Sequence, residues 1–196
     1  SVRAQSSCND VISATRGVNE TMGDHWIRAI GLIDRDRSVE DDVTKLAEHG
    51  VVALKVHSIE SIYYHPAVVR LVAKRFHLAG SIEFDEVDRQ LNDVIVKEFA
   101  AARDKLISDA TVRRVRNAVL SRLPKTKDFS ESINPSAGLS SSEVEALYKG
   151  EATTFDTLIG AKDVEGLCLA YAVKRTGVVR AICDLLNLKD GAAYAE

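Results

Sequence analysis

Apolar positions in the N-terminal third of the chain follow two alternating patterns. The strand pattern occurs in three segments, 1–6, 25–33 and 51–59, and the two later ones are nearly continuous in apolar residues. The helical pattern, with apolar residues every three or four positions, occurs in 8–22 and 39–49. A continuous apolar strand is typical of a sheet that is covered on both faces. The order strand, helix, strand, helix, strand with short connections therefore predicts an α/β fold built on a right-handed parallel sheet.

Beyond Pro66 the chain changes to helical patterns. Apolar residues recur every three or four positions in 66–76 and 83–123, and two further helices are predicted at 162–175 and 178–188. Between them, 128–142 contains Ser, Pro, Gly and Asn and is typical of a loop or flexible linker. Two pairs near its end have the spacing of a capping box for the next helix, Ser140 with Glu143 and Ser142 with Glu145.

These patterns divide the chain into three parts. An α/β core is expected over 1–80, a helical insertion over 81–150, and C-terminal helices that pack back on the core over 151–196. The chain has 196 residues, which is long enough for one sizeable core or for one domain with a smaller addition.

Composition indicates a soluble globular protein, because 45% of the residues are hydrophobic and 28% are charged. The formal net charge of -3 and the pI of about 6.0 give no overall attraction to nucleic acid or to an anionic membrane, so such binding would need a local basic patch. The three cysteines lack the spacing of a zinc site or a redox pair and are expected to be reduced thiols in a cytoplasmic protein. No apolar run approaches the roughly 20 residues needed to cross a bilayer, so no membrane association is expected.

Two carboxylates follow the second predicted strand, in the stretch GLIDRDR. Asp34 and Asp36 are separated by one residue, so in an extended chain both side chains leave the same side, about 6.5 to 7 Å apart at their Cα atoms. Carboxylate oxygens are the ligands that Mg²⁺ and Mn²⁺ prefer, which makes the pair a candidate metal site. The alternative is a run of surface salt bridges with the intervening arginines, but exposed pairs of that kind contribute only about 0 to 1 kcal/mol.

Further polar residues follow the neighbouring strands. The carboxyl ends of parallel strands meet at one edge of the sheet, and ligands of open α/β sheets bind at that edge. Glu60 follows the third predicted strand and is a candidate third acid, or else an acidic residue in the first turn of the next helix. The remaining polar residues expected at this edge are Ser6, Ser7, His57 and Ser58.

Two groups of basic residues are candidates for contacts with phosphate. One is a stretch without acids on a predicted helix, which is either a nucleic-acid-binding surface or an ordinary solvated face. It contains Arg113, Arg114, Arg116, Arg122, Lys125 and Lys127. The other is Lys162, which lies near a predicted helix start, where the helix dipole disfavours a cation.

The quoted motifs, IGLIDRDR followed by a short helix and then LKVHSIESIYY, resemble the Toprim domain of the overcoming-lysogenization-defect (OLD) family and of related proteins fused to ABC-type ATPases. The resemblance covers about residues 9 to 66 and is weaker in LIGAKDVEGLCLAYAVK. It implies a Toprim-like, Rossmann-like parallel sheet and cleavage of DNA with Mg²⁺ or Mn²⁺. Asp34 and Asp36 match the family's DxD, Glu60 matches a later acid, and Lys162 matches a lysine that supports the transition state.

One departure from the family concerns the first strand and its glutamate, which would lie upstream of Ser1. The resemblance therefore predicts that these residues are the C-terminal part of a longer, ATPase-coupled DNA endonuclease of phage defence, with the first strand missing. It also predicts that the upstream domain binds the ATP and that the chain alone is a weak or inactive nuclease.

Two other interpretations remain open. The pattern GLIDRDRSV also fits haloacid-dehalogenase-like phosphohydrolases, in which Asp34 would be the nucleophile and Asp36 the general acid. That fold needs a later strand ending in acids, whereas only helices are predicted after residue 60. The remaining interpretation is a catalytically incomplete α/β module that binds a partner protein or forms a homodimer.

Overall fold

The computed structural model of the chain describes residues 8–21, 23, 25–34, 40–78, 80, 82–122 and 138–188. Most of these residues are helical, and the strands are two short segments, β1 (Gly31–Ile33) and β2 (Val51–Ala53). The longer helices are α1 (Cys8–Glu20), α2 (Glu40–Glu48), α4 (Pro66–Leu78), α5 (Phe84–Ala101), α6 (Arg103–Arg122), α7 (Ser141–Gly160) and α9 (Val178–Leu185). The shorter ones are α3 (Ile59–Tyr63), α8 (Val164–Ala170) and a 3₁₀ turn at Val173–Arg175.

The two strands form the parallel sheet of an α/β unit, as the sequence pattern predicts. They pair in register from Gly31 with Val51 to Ile33 with Ala53, and α2 connects them. Gly50 ends the connection with a φ of 80°, a conformation that favours glycine after a helix. The α/β class is therefore confirmed, with a sheet of two strands in the part of the chain that the structure describes.

Asn19 holds the amino ends of both strands against the end of α1. Its side-chain amide donates to the carbonyls of Ala29, at 3.0 Å, and His49, at 3.1 Å. Its carbonyl accepts from the Ala29 amide at 2.9 Å. Asn19 thus satisfies backbone groups in the segment before β1 and in the segment before β2, and these bonds fix the chain where it enters each strand.

The prediction that the strands are long and covered on both faces is wrong for the described residues. Helices α1 and α2 both pack against the face that carries Ile33 and Val51. On the opposite face the cross-strand partners Leu32 and Val52 are 55% and 47% exposed, and Ile30 before β1 is 70% exposed. The sheet is therefore buried on one face only.

A larger helical core extends from α3 to α9. Helix α5 is its centre: α9 packs mainly against α5, and α8 packs against α7 and α5. Its largest fully buried side chains include Leu91, Phe99, Ile107, Phe155 and Ile182. None of the helices in the described ranges combines the length and the apolar character that a membrane span requires.

One of the two predicted capping boxes forms at the start of α7. The Ser140 hydroxyl accepts from the Glu143 amide at 3.3 Å, and the Glu143 carboxylate accepts from the Ser140 amide at 2.7 Å. Arg122 at the end of α6 donates to the same carboxylate, and together with the Ser140 bonds it lowers the pKa of Glu143 to about 2. The rest of the predicted loop, up to residue 137, lies outside the described residues.

Gly31 sets how closely α1 approaches the sheet. A Cβ atom at this position would collide with the Thr15 hydroxyl and a Val11 methyl group, both on α1. Replacement by a larger residue must therefore move the helix away from β1, which opens the small core formed by Ile33, Leu46 and Val51.

We expect Gly31→Ala to lower the free energy of unfolding by about 2 kcal/mol, the usual range for overpacking a close contact. Gly150 is the matched control, since it lies within α7 with nothing in reach of a new Cβ. Gly150→Ala should stabilise the protein by about 0.5 to 1 kcal/mol. Chemical denaturation measures both changes, and equal effects of the two substitutions would contradict the proposed contact.

Candidate functional site

A pocket of about 300 Å³ lies at the carboxyl edge of the sheet. The chain leaves β1 at Asp34 and, after β2, reaches the edge again at His57 and Ser58. The facing walls come from the helical core, from α6 and from the segment that follows α8. These walls contribute Leu106, Asp109, Arg113, Tyr171, Ala172, Lys174 and Arg175. The pocket therefore joins the α/β unit to the helical part of the chain.

Cationic groups outnumber carboxylates among the side chains that line the pocket. Arg113 donates to Nε2 of His57, across the boundary between α6 and the sheet edge. Arg175 lies 3.7 Å from Asp109, measured from Nε to Oδ2. With Lys174 there are three permanent cations against two carboxylates, a composition that suits an anion such as phosphate.

Glu60 lies behind this wall, in the first turn of α3. One of its oxygens is 3.7 Å from Nζ of Lys174. Burial raises the pKa of Glu60, but the neighbouring Ser58 hydroxyl and backbone amide, together with the positive charge of Lys174, lower it overall. Glu60 is therefore ionised at neutral pH and orients a lysine of the pocket.

The predicted metal site is described in part. Asp34 is half-buried and lines the pocket, whereas Asp36 lies outside the described residues. Within the described ranges, no cluster of three or more His, Cys, Asp or Glu side chains is arranged to hold a metal ion. Mg²⁺, however, is commonly bound by one or two carboxylates, with water and substrate phosphate as the other ligands. Asp34 at a strand end, facing a cationic wall, fits such a site.

Lys162 is not among the residues that line the pocket. It lies in the turn between α7 and α8, has a φ of 51°, and its ammonium is 2.8 Å from Oδ1 of Asp93 on α5. Both side chains of this pair are about two-thirds exposed. Lys162 thus lies outside the pocket that Asp34 lines, and another lysine, Lys174, lines it instead.

The basic stretch on α6 is divided among different partners. Arg113 points into the pocket, Arg114 pairs with the buried carboxylate of Glu151 on α7, and Arg122 pairs with Glu143 at 2.5 Å. Arg116 is exposed. The last two candidates, Lys125 and Lys127, lie outside the described residues. Two of the described arginines thus form ion pairs with α7, and a nucleic-acid-binding role for the stretch stays a prediction.

Several residues of the site carry no strong signal in the sequence. Lys174 and Arg175 look like ordinary basic residues at the end of a predicted helix over 162–175. In the structure α8 ends at Ala170, and Tyr171 has extended backbone angles, so that the chain turns toward the pocket. The only local signal for the α6 wall is that Asp109 and Arg113 are four residues apart on one helix, which places them on the same face.

Comparisons of the chain with protein-family models, with curated proteins and with solved structures give no match. The α/β class rests on the sheet and its connections, and the candidate site rests on the pocket geometry. The Toprim resemblance remains an interpretation of the motifs around Asp34 and His57.

Replacing Lys174 tests whether the pocket binds phosphate. We expect Lys174→Ala to weaken the binding of inorganic phosphate about tenfold, because a hydrogen bond to a charged group contributes roughly 1.5 to 3 kcal/mol. Lys162→Ala is the matched control and should leave the affinity unchanged, since that lysine pairs with Asp93 away from the pocket. Calorimetric titration measures both, and an equal loss in the two variants would contradict the assignment of the site.

Proposed function

We propose that this chain carries the catalytic site of a divalent-metal-dependent DNA endonuclease, and that the pocket at the sheet edge is where a phosphodiester bond is cleaved. The observation that carries the proposal is the meeting of Asp34, at the carboxyl end of β1, with Arg113, Lys174 and Arg175 in one pocket. A carboxylate that can hold a cation and basic side chains that can hold a phosphate are the two requirements of metal-assisted phosphodiester hydrolysis.

Each group has a distinct role in this proposal. Asp34, with Asp36, would hold Mg²⁺ or Mn²⁺, which when bound supplies an activated water and stabilises negative charge. Arg113, Lys174 and Arg175 bind and orient the phosphate and stabilise the charge that develops on its oxygens. Lys174 rather than Lys162 takes the role of the transition-state lysine, because it lines the pocket and Glu60 holds it there.

The finer family assignment rests on the sequence motifs. A Toprim-like arrangement is supported by the DxD position of Asp34 and by the acid Glu60 after the following strand. Coupling to an ATPase domain and a part in phage defence are supported by the resemblance to the OLD family alone.

A second candidate function, a module that binds a partner protein, is favoured by the open face of the sheet. Ile30, Leu32 and Val52 expose apolar side chains there, and parallel sheets are usually covered on both faces. The haloacid-dehalogenase interpretation is less favoured, because the elements described after β2 are helices and supply no later strand ending in acids.

Nicking of supercoiled plasmid in the presence of Mg²⁺ or Mn²⁺ tests the nuclease proposal, because a single cut per plasmid is detectable even for a weak enzyme. We expect a chelator to abolish the activity and the double substitution Asp34→Ala, Asp36→Ala to lower it about a hundredfold or more.

The control for this experiment is Asp93→Ala, which removes an exposed carboxylate that pairs with Lys162. It should cut plasmid as the native chain does. No nicking by the chain joined to the upstream strand that the resemblance predicts, or nicking that survives both the chelator and the double substitution, would rule out catalysis at this pocket and favour the partner-binding module.

A further inference from the structure

A buried carboxylate on α7 contacts both cationic walls of the pocket without lining the pocket itself. Glu151 is 5% exposed, and its Oε2 accepts a hydrogen bond from the Tyr171 hydroxyl at 3.3 Å. Its other oxygen, Oε1, is paired with the guanidinium of Arg114 on α6. Neither the sequence motifs nor the proposed chemistry uses this residue.

Through Tyr171, Glu151 reaches the wall that carries Lys174 and Arg175. Tyr171 is 1% exposed, lines the pocket, and packs its ring edge-to-face on Phe155, with the ring centroids 5.1 Å apart. Two residues later Val173 is fully buried and begins the 3₁₀ turn. Tyr171 and Val173 therefore anchor a short segment whose next two residues are the pocket cations.

Through Arg114, Glu151 also reaches the α6 wall. Arg114 follows Arg113, the residue that contacts His57 inside the pocket. The two arginines thus point to different partners from adjacent positions. An Arg114 held on Glu151 fixes the rotation of α6 at this turn, and with it the direction of Arg113.

The chemistry of the contact favours a positioning role over a purely stabilising one. Burying a charge costs several kcal/mol, and a buried ion pair is often no more stable than apolar residues of similar volume. Burial and the negative charge of Glu151 raise the pKa of Tyr171. The phenol thus stays protonated and keeps donating its hydrogen bond, which gives the segment one defined position.

We propose that Glu151 is a positioning residue that sets, through Tyr171 and Arg114, the geometry with which Lys174, Arg175 and Arg113 hold a phosphate group. The choice of phosphate as the ligand rests on the proposed function. The inference itself concerns binding, so it can be tested without measuring cleavage.

The test is a double-mutant cycle that measures the affinity for inorganic phosphate. Glu151→Gln and Tyr171→Phe remove the charge and the hydroxyl, respectively, at nearly constant volume, and each should weaken binding about fivefold. In a Lys174→Ala background the effect of Glu151→Gln should fall to about two- to threefold, because one of the three cations that it positions is gone. All titrations are made at a temperature where circular dichroism shows every variant to be folded.

The matched control is Glu143→Gln, which removes a different carboxylate of the same helix pair, one that contacts Arg122 far along α6 from the pocket. It should leave the affinity for phosphate unchanged. Unchanged affinity in both Glu151→Gln and Tyr171→Phe, strictly additive effects with Lys174→Ala, or no phosphate binding by the native chain would overturn the inference.

Failure of the positioning inference and failure of the nuclease proposal give different results. Metal-dependent nicking together with an additive cycle would remove only the positioning role. A coupled cycle without any nicking would remove the nuclease and leave Glu151 as the organiser of a phosphate-binding pocket.

Discussion

The ion pairs between α6 and α7 are the constraint on which the rest of the site depends. Three arginines of α6 pair with three carboxylates of α7 in antiparallel order, Arg103 with Asp156, Arg114 with Glu151, and Arg122 with Glu143. The outer pairs are largely solvated and contribute little to the free energy of folding. The central pair is different, because Glu151 is buried and has a second partner in Tyr171. It fixes the register of the two helices where α6 forms a wall of the pocket.

The residues of the pocket come from both cores of the molecule. The small core under the sheet determines where β1 ends, and hence the position of Asp34, through the close approach of α1 at Gly31. The helical core determines the positions of Arg113, Lys174 and Arg175. A phosphate bound between them would contact groups from both cores, so its affinity depends on the packing between the α/β unit and the helices as well as on the charges.

Local features of this fold could be predicted from the sequence, whereas features that depend on distant partners could not. The Ser140 capping box, the end of α2 just before Gly50 and the end of β1 just before Asp34 each depend on a few neighbouring residues. The ion pairs of Arg114 and Arg122 could not be predicted from the basic stretch itself, because their partners lie on another helix. Lys174 was missed for a similar reason, since α8 ends at Ala170 and the hydroxyl of the extended Tyr171 contacts a buried residue of α7.

Paramagnetic line broadening by Mn²⁺, followed on backbone amide signals at a low ratio of metal to protein, tests the central claim most directly. The account predicts that the signals of Asp34, His57 and Ser58 broaden first, that those of the facing α6 wall follow, and that Asp34→Ala with Asp36→Ala removes the effect. Broadening centred on acidic surface residues elsewhere, such as Asp85 and Glu86, with no change at the sheet edge would contradict a metal site in the pocket.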